Sequence, residues 1–149
     1  MSHVPLDIGA NWGRLNDSII DLVDYIPEDK LEWSPRPDLF NLRGILAHIA
    51  FARQNWMTNN VEDGEETPNV LGNIGSQDAI KKQLKLSWER VERFLGNQGA
   101  LDATYEGGDG PITGHWIAYH LLEHDIHHRS DIFHYLALLE IDHPEIGTP

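Results

Sequence analysis

Apolar residues at Ile8, Trp12, Leu15, Ile19, Leu22 and Ile26 recur in alternating steps of four and three, the spacing that lines one face of an α-helix. Pro27 and the polar Glu28, Asp29 and Lys30 end that stretch, and Pro35 and Pro37 keep Leu31 to Phe40 irregular because each removes a backbone donor. Asn41 then caps a second helix on Leu42, Ile45, Leu46, Ile49, Ala52 and Trp56, running to about Val61. Glu62 to Gly75 reads as a solvated acidic loop. Ser76 opens a third helix on Ile80, Leu84, Trp88, Val91 and Leu95, stopped by Gly96. A second loop holds Gly107, Gly108, Gly110 and Pro111, and Thr113 opens a fourth helix reaching about Leu139. With no strand alternation anywhere, the pattern predicts one all-α domain, residues 1–149, folded as a four-helix bundle. Its long connections imply at least one crossover.

Composition narrows the function. Eleven Lys and Arg against 24 Asp and Glu leave a net charge of −13, which repels phosphate backbones and anionic lipid head groups, so no nucleic-acid or membrane partner is expected. The chain has no Cys, so any metal must be held by His or carboxylate. The longest apolar run, Tyr135 to Leu139, is too short to span a bilayer, and the first twenty residues hold no block of signal-peptide length. A cytoplasmic location is the expectation.

Nine histidines are the one anomaly, and most fall on the fourth helix. At about 100° per residue, Ile117, Leu121, His124, His128, Ile132, Tyr135, Leu138 and Leu139 share a stripe. His124 and His128 stand four apart, one above the other, where a bundle normally places Leu or Ile. Buried imidazoles need partners. Two such rings can grip one metal ion, as they do in H-E-x-x-H helices. His48, three residues after Ile45 and the only His of the second helix, is the natural third ligand. Three neutral imidazoles would hold a divalent ion and leave a position open for water or substrate, as a catalytic site requires.

Asp131, three residues past His128, is placed to accept the second ring proton of a ligand His, and Asp131 or His127 would serve as the base of a hydrolase. His127 and His120 lie on one flank of the stripe, at the pocket wall. His3, His115, His134 and His143 read as surface or helix-end residues. Trp12, Trp56 and Trp88 fit core positions, whereas Trp33 and Trp116 fit a core or a pocket mouth equally. A second apolar strip on the fourth helix, Leu122, Ile126, Phe133 and Leu136, lies opposite the first and suggests a homodimer packed through it.

These residues resemble the DinB/YfiT-like family, a superfamily distinct from the translesion polymerase that shares the name DinB. The likeness covers nearly the whole chain: Asn11-Trp12 with Leu15, the Leu31 to Pro37 segment, Ile45 to Ile49 with Trp56, and His124-Asp125-Ile126-His127-His128-Arg129, whose H-x-x-H-H-R pattern is the most specific part. The resemblance implies a bundle of up-down-down-up topology, frequently dimeric, with a divalent metal on His48, His124 and His128. Members of that family include thiol transferases that use bacillithiol or mycothiol, a maleylpyruvate isomerase, and many proteins called metal-dependent hydrolases. This chain has Ser130 and Asp131 where Gly and Gln often follow the Arg, and Glu140 where a Gly commonly ends the helix.

The leading reading is a metal-dependent enzyme in which Zn²⁺ or Ni²⁺ activates a small thiol or water to attack an electrophilic small molecule. In the thiol case Arg53 or Arg129 would hold the co-substrate's carboxylates. Two other readings stand beside it: a non-catalytic metal-binding stress-response module acting as a dimer, and a hydrogen-bonded core His pair that binds no metal.

Overall fold

The structure, a computed structural model, describes residues 7–144; His3 lies outside them. Helix α1 spans Ile8–Tyr25, and Asp7 caps it by accepting the backbone N–H of Ala10 at 2.8 Å. Trp12, Leu15, Ile19 and Leu22 are buried as the spacing predicts, but Ile8, in the first turn, is 45% exposed. A 3₁₀ turn at Glu28–Lys30 follows, and the connector then returns two carbonyls to the next helix: Leu31 and Trp33 accept from the N–H groups of Arg43 and Leu42. These bonds satisfy donors that a helix start leaves free. Helix α2 is Leu42–Trp56, capped by Asn41, and its path runs on through a π-helical turn at Met57–Val61 to Glu62, whose φ of 53° ends it.

The acidic loop is exposed, as expected, but anchored. Arg90 of α3, which spans Gln77–Leu95, is itself buried and grips Asp63 through Nε at 2.7 Å and Nη2 at 2.5 Å. Burial pushes the Asp63 carboxyl up, but the hydrogen bonds and charge of Arg90 hold it below its ordinary range.

The strand-free expectation is corrected in the next connection. A short helix α4, Gln98–Asp102, leads into a hairpin of β1, Thr104–Gly107, and β2, Gly110–Thr113. Thr104 pairs with Thr113 and Gly107 with Gly110, and Gly110 has a φ of +130° that an L side chain rarely adopts. Strands of four residues offer only two alternations, too few to show a period of two above the turn-forming glycines around them. Thr113 caps α5, Gly114–Leu138, through the N–H of Trp116. Gly114 is required there: a Cβ would fall 2.2 Å from the Ala100 carbonyl oxygen, so α4 lies directly on the first turn of α5.

Both α1 and α2 pack principally on α3 and α5. The shared core includes Trp12, Ile19, Leu46, Ile49, Leu84 and Leu121. No described helix is long and apolar enough to cross a membrane.

Two details of α5 depart from the stripe. Leu138 is 64% exposed, and the buried arc of Ile117, Leu121, Asp125, His128, Ile132 and Leu136 is centred roughly 70° from His124. His124 therefore stands at the arc's edge, not its middle. The second strip also proves to be half interior: Phe133 and Leu136 are buried within the chain. Glu140, at a φ of 56°, takes the left-handed position usually given to Gly, and the chain reverses so that the Ile141 N–H reaches the Leu136 carbonyl and His143 packs on Phe133 at 5.0 Å between centroids.

Candidate metal centre

The α2 rhythm turns Ile45 and Ile49 into the core and leaves His48 half-buried between α2 and α5. From α5, His124 and His128 meet it one above the other, with ring centroids 4.8 and 4.9 Å from that of His48 and 4.5 Å from each other. One ring nitrogen of each of the three lies within 4.8 Å of the others. The Nε2 atoms of His48 and His124 are 2.9 Å apart, so they share a single ring proton. Phe40 stacks on the outer face of His48 at 5.3 Å.

His128 is held from behind. Its Nδ1–H donates to Asp131 Oδ2 at 3.1 Å, which assigns the proton to Nδ1 and leaves Nε2 with its lone pair. Asp131 thus occupies the place read for it. His127 sits outside, its side chain 69% exposed and its Nε2 3.7 Å from Asp131 Oδ2. Burial first, then the neighbouring His124 and His48, lowers the pKa of His128 to about 4 against the pull of Asp131; burial and His124 lower that of His48. Both rings are therefore neutral at physiological pH, the form that coordinates a cation. A set of three imidazole nitrogens suits Zn²⁺ or Ni²⁺, and His48, His124 and His128 are the residues that would hold it.

Farther along the same edge of α5, His120 stacks on Trp116 at 5.0 Å and 6°, and Trp56 of α2 closes on both rings at 5.1 and 6.0 Å. His120 thus belongs to an aromatic cluster one helical turn from His124. Trp116 remains 45% exposed, while Trp33 is half-buried edge-on against Tyr135 at 5.6 Å.

The two arginines are not brought to this site. Arg53 is fully buried. Its Nε and Nη2 donate to Asp125 Oδ2 at 3.0 and 2.8 Å, and its Nη1 donates to Asn16 Oδ1, the Leu84 carbonyl and Ser87 Oγ. A cation so enclosed cannot reach a ligand, and this corrects the reading of Arg53 as a substrate contact. Arg129 points to α1, where its Nη1 donates to Ser18 Oγ at 3.2 Å.

Asp125, which the sequence reading passed over, is the interior charge that matters. Its Oδ2 also accepts from Trp12 Nε1 at 2.8 Å. Burial pushes the carboxyl up, but Arg53 and these hydrogen bonds hold it below its ordinary range. The signal was present: Asp125 stands four residues after Leu121 and seven before Ile132, on the apolar arc.

A model of the DinB superfamily matches residues 12–132. The chain belongs to the DinB superfamily. In overall shape it is similar to a DinB-like protein from Bacillus cereus, at a TM-score of 0.72 and 14% identity over 93% of this chain and 94% of that one. It is likewise similar to a DinB-like protein from Bacillus subtilis, at a TM-score of 0.70 and 18% identity over 95% of each chain. At such identities these two show the fold. A search of curated proteins gave no match.

Proposed function

We propose that this DinB-superfamily chain is a metal-dependent enzyme acting on an electrophilic small molecule. The observation that carries the proposal is the convergence of His48, His124 and His128, from two helices, with ring nitrogens within 4.8 Å. Among the described residues the group has three members, the ligand number that leaves a position open, and this favours the enzyme over a closed metal-binding stress-response module. A divalent ion held there would supply Lewis acidity, lowering the pKa of a water or thiol in the open position.

The chain's own residues then divide the work. Asp131 fixes the tautomer and orientation of His128. With Asp131 so engaged, the exposed His127 is the better acceptor for a proton released at the site. Trp56, Trp116 and His120 offer a flat wall to an apolar or planar part of the substrate. Of the two chemistries, hydrolysis is favoured over transfer of a bacillithiol-like thiol, because Arg53 and Arg129, the cations expected to hold the thiol's carboxylates, point elsewhere.

The reading extends to one bundle domain of up-down-down-up topology, a cytoplasmic location and a homodimer. Of the second strip Ile126 is exposed and Leu122 half-buried, and Leu122 lines a cavity of about 460 Å³ with Ile8, Leu95, Leu101 and Tyr119. The dimer would pack there, and sedimentation as a monomer at micromolar concentration would remove it.

To test the activity, zinc- or nickel-loaded protein is incubated with a panel of activated esters, amides and epoxides, in water alone or with bacillithiol, and products are read by mass. Hydrolysis that disappears in His48→Ala supports the proposal. Thioether products alone would replace hydrolysis by transfer, and no turnover with either metal would overturn the enzymatic reading.

A further inference from the structure

Two buried polar atoms beside the metal centre lack hydrogen-bond partners among the described residues: His124 Nδ1 and Asp125 Oδ1. They face each other at 3.9 Å. Unpartnered buried atoms are uncommon, and two that complement each other chemically need a joint explanation.

The other atoms of both residues are committed. On Asp125, Oδ2 takes every donor available, Trp12 Nε1 and the Nε and Nη2 of Arg53, while Oδ1 receives none. On His124, Nε2 faces His48 Nε2 at 2.9 Å and so is the atom turned to the ion site. An imidazole that coordinates through Nε2 carries its proton on Nδ1. That N–H would be enclosed, with Asp125 Oδ1 as the acceptor facing it. Successive helical residues do not naturally face one another, which accounts for the present 3.9 Å. An ion between His48 and His124 also requires their nitrogens to part, so the His124 ring must shift from its present place.

We propose that Asp125 is the positioning residue of the metal centre: its Oδ1 accepts the Nδ1–H of His124 when His124 coordinates, while Arg53 and Trp12 lock the carboxylate in place. Asp125 thereby ties a ligand on the outer edge of α5 to α1 and α2. The Arg53 guanidinium balances the carboxylate charge, so Asp125 acts by fixing the ring and its tautomer. It does for His124 what Asp131 does for His128, and each α5 ligand then has its own carboxylate. This inference rests on the metal reading of the site.

The test uses the whole chain with zinc alone as the probe. In the zinc-loaded wild type, ¹⁵N-resolved imidazole spectra should show His124 protonated at Nδ1, with a downfield, slowly exchanging proton. Competition against a chelator should show Asp125→Asn binding zinc 10- to 100-fold more weakly. Ser87→Ala, which removes an Arg53 contact remote from Oδ1, should bind zinc as the wild type does. Zinc binding with a rapidly exchanging Nδ1 proton, or with His124 coordinated through Nδ1, overturns the inference and leaves the metal reading intact. Equal affinity of a folded Asp125→Asn does the same. Should Asp125→Asn fail to fold, the wild-type spectrum decides alone. No zinc uptake by the wild type overturns both.

Discussion

Around Arg53 the polar groups of the interior are matched but for one oxygen: Trp12, Asn16, Ser87 and the Leu84 carbonyl meet the guanidinium and its carboxylate, only Asp125 Oδ1 lacks a partner among the described residues, and both side chains are sealed from solvent. Around His48 they are not. Three imidazole rings crowd together with one Nε2 facing another and an Nδ1 left over. Both clusters stand where a bundle could have placed Leu, and both cost desolvation. The difference teaches how to tell a structural polar cluster from a ligand site in one interior: the first spends its hydrogen-bonding capacity within itself except at the Asp125 oxygen that faces His124, whereas the second keeps lone pairs aimed at a common point.

The contrast is most easily broken by mutation. Arg53→Leu leaves Asp125 as an uncompensated buried charge and should cost about 3–5 kcal/mol of stability in denaturant unfolding. His48→Leu in metal-free protein should change stability by no more than about 1 kcal/mol, since it removes one hydrogen bond from a half-buried group. Equal losses from the two would abolish the distinction.

Acidification sharpens it. An unfolded histidine takes a proton near pH 6.5, while His128 in the fold resists until about pH 4. Between those values the unfolded chain binds more protons, so stability rises with pH across the window and falls as pH drops through it. Metal-free protein should lose on the order of 3 kcal/mol at most between pH 6.5 and 4. His128→Leu should flatten that slope, and a slope unchanged by the substitution would mean that another group carries it.

A smaller effect separates holding a ligand from holding the fold. Asp131→Ala removes the acceptor of His128 Nδ1–H from a half-exposed position. It should weaken zinc binding about tenfold in chelator competition while shifting stability by less than about 1 kcal/mol. A large stability loss with unchanged zinc affinity would assign Asp131 to the structure instead.

The long helices and the His triad were legible in the sequence because both rest on periodicity. Spacing of three and four fixes which residues share a face, and His124 with His128 follows from the same arithmetic as Leu121 with Ile132. The hairpin was not legible, because Tyr105 and Ile112 are single cross-strand partners in strands too short to alternate. The sequence offers Arg53 as a cation for the co-substrate's carboxylates because its partner Asp125 lies 72 positions away, and no local pattern reports a contact at that separation. Asp125 escaped notice for a related reason: a charge on an apolar arc looks like an interruption of the face until its counter-ion is seen. The packing of His143 on Phe133 likewise follows a chain reversal at Glu140, a residue type that seldom takes a left-handed conformation.

The central claim is that three imidazoles from α2 and α5 hold one divalent ion. Zinc titration of protein purified without an affinity tag, followed by calorimetry and checked by elemental analysis, tests it most directly. The account predicts one zinc per chain in the wild type and none in His48→Ala or His124→Ala. A wild type that binds no zinc, or variants that bind it as tightly, would contradict it.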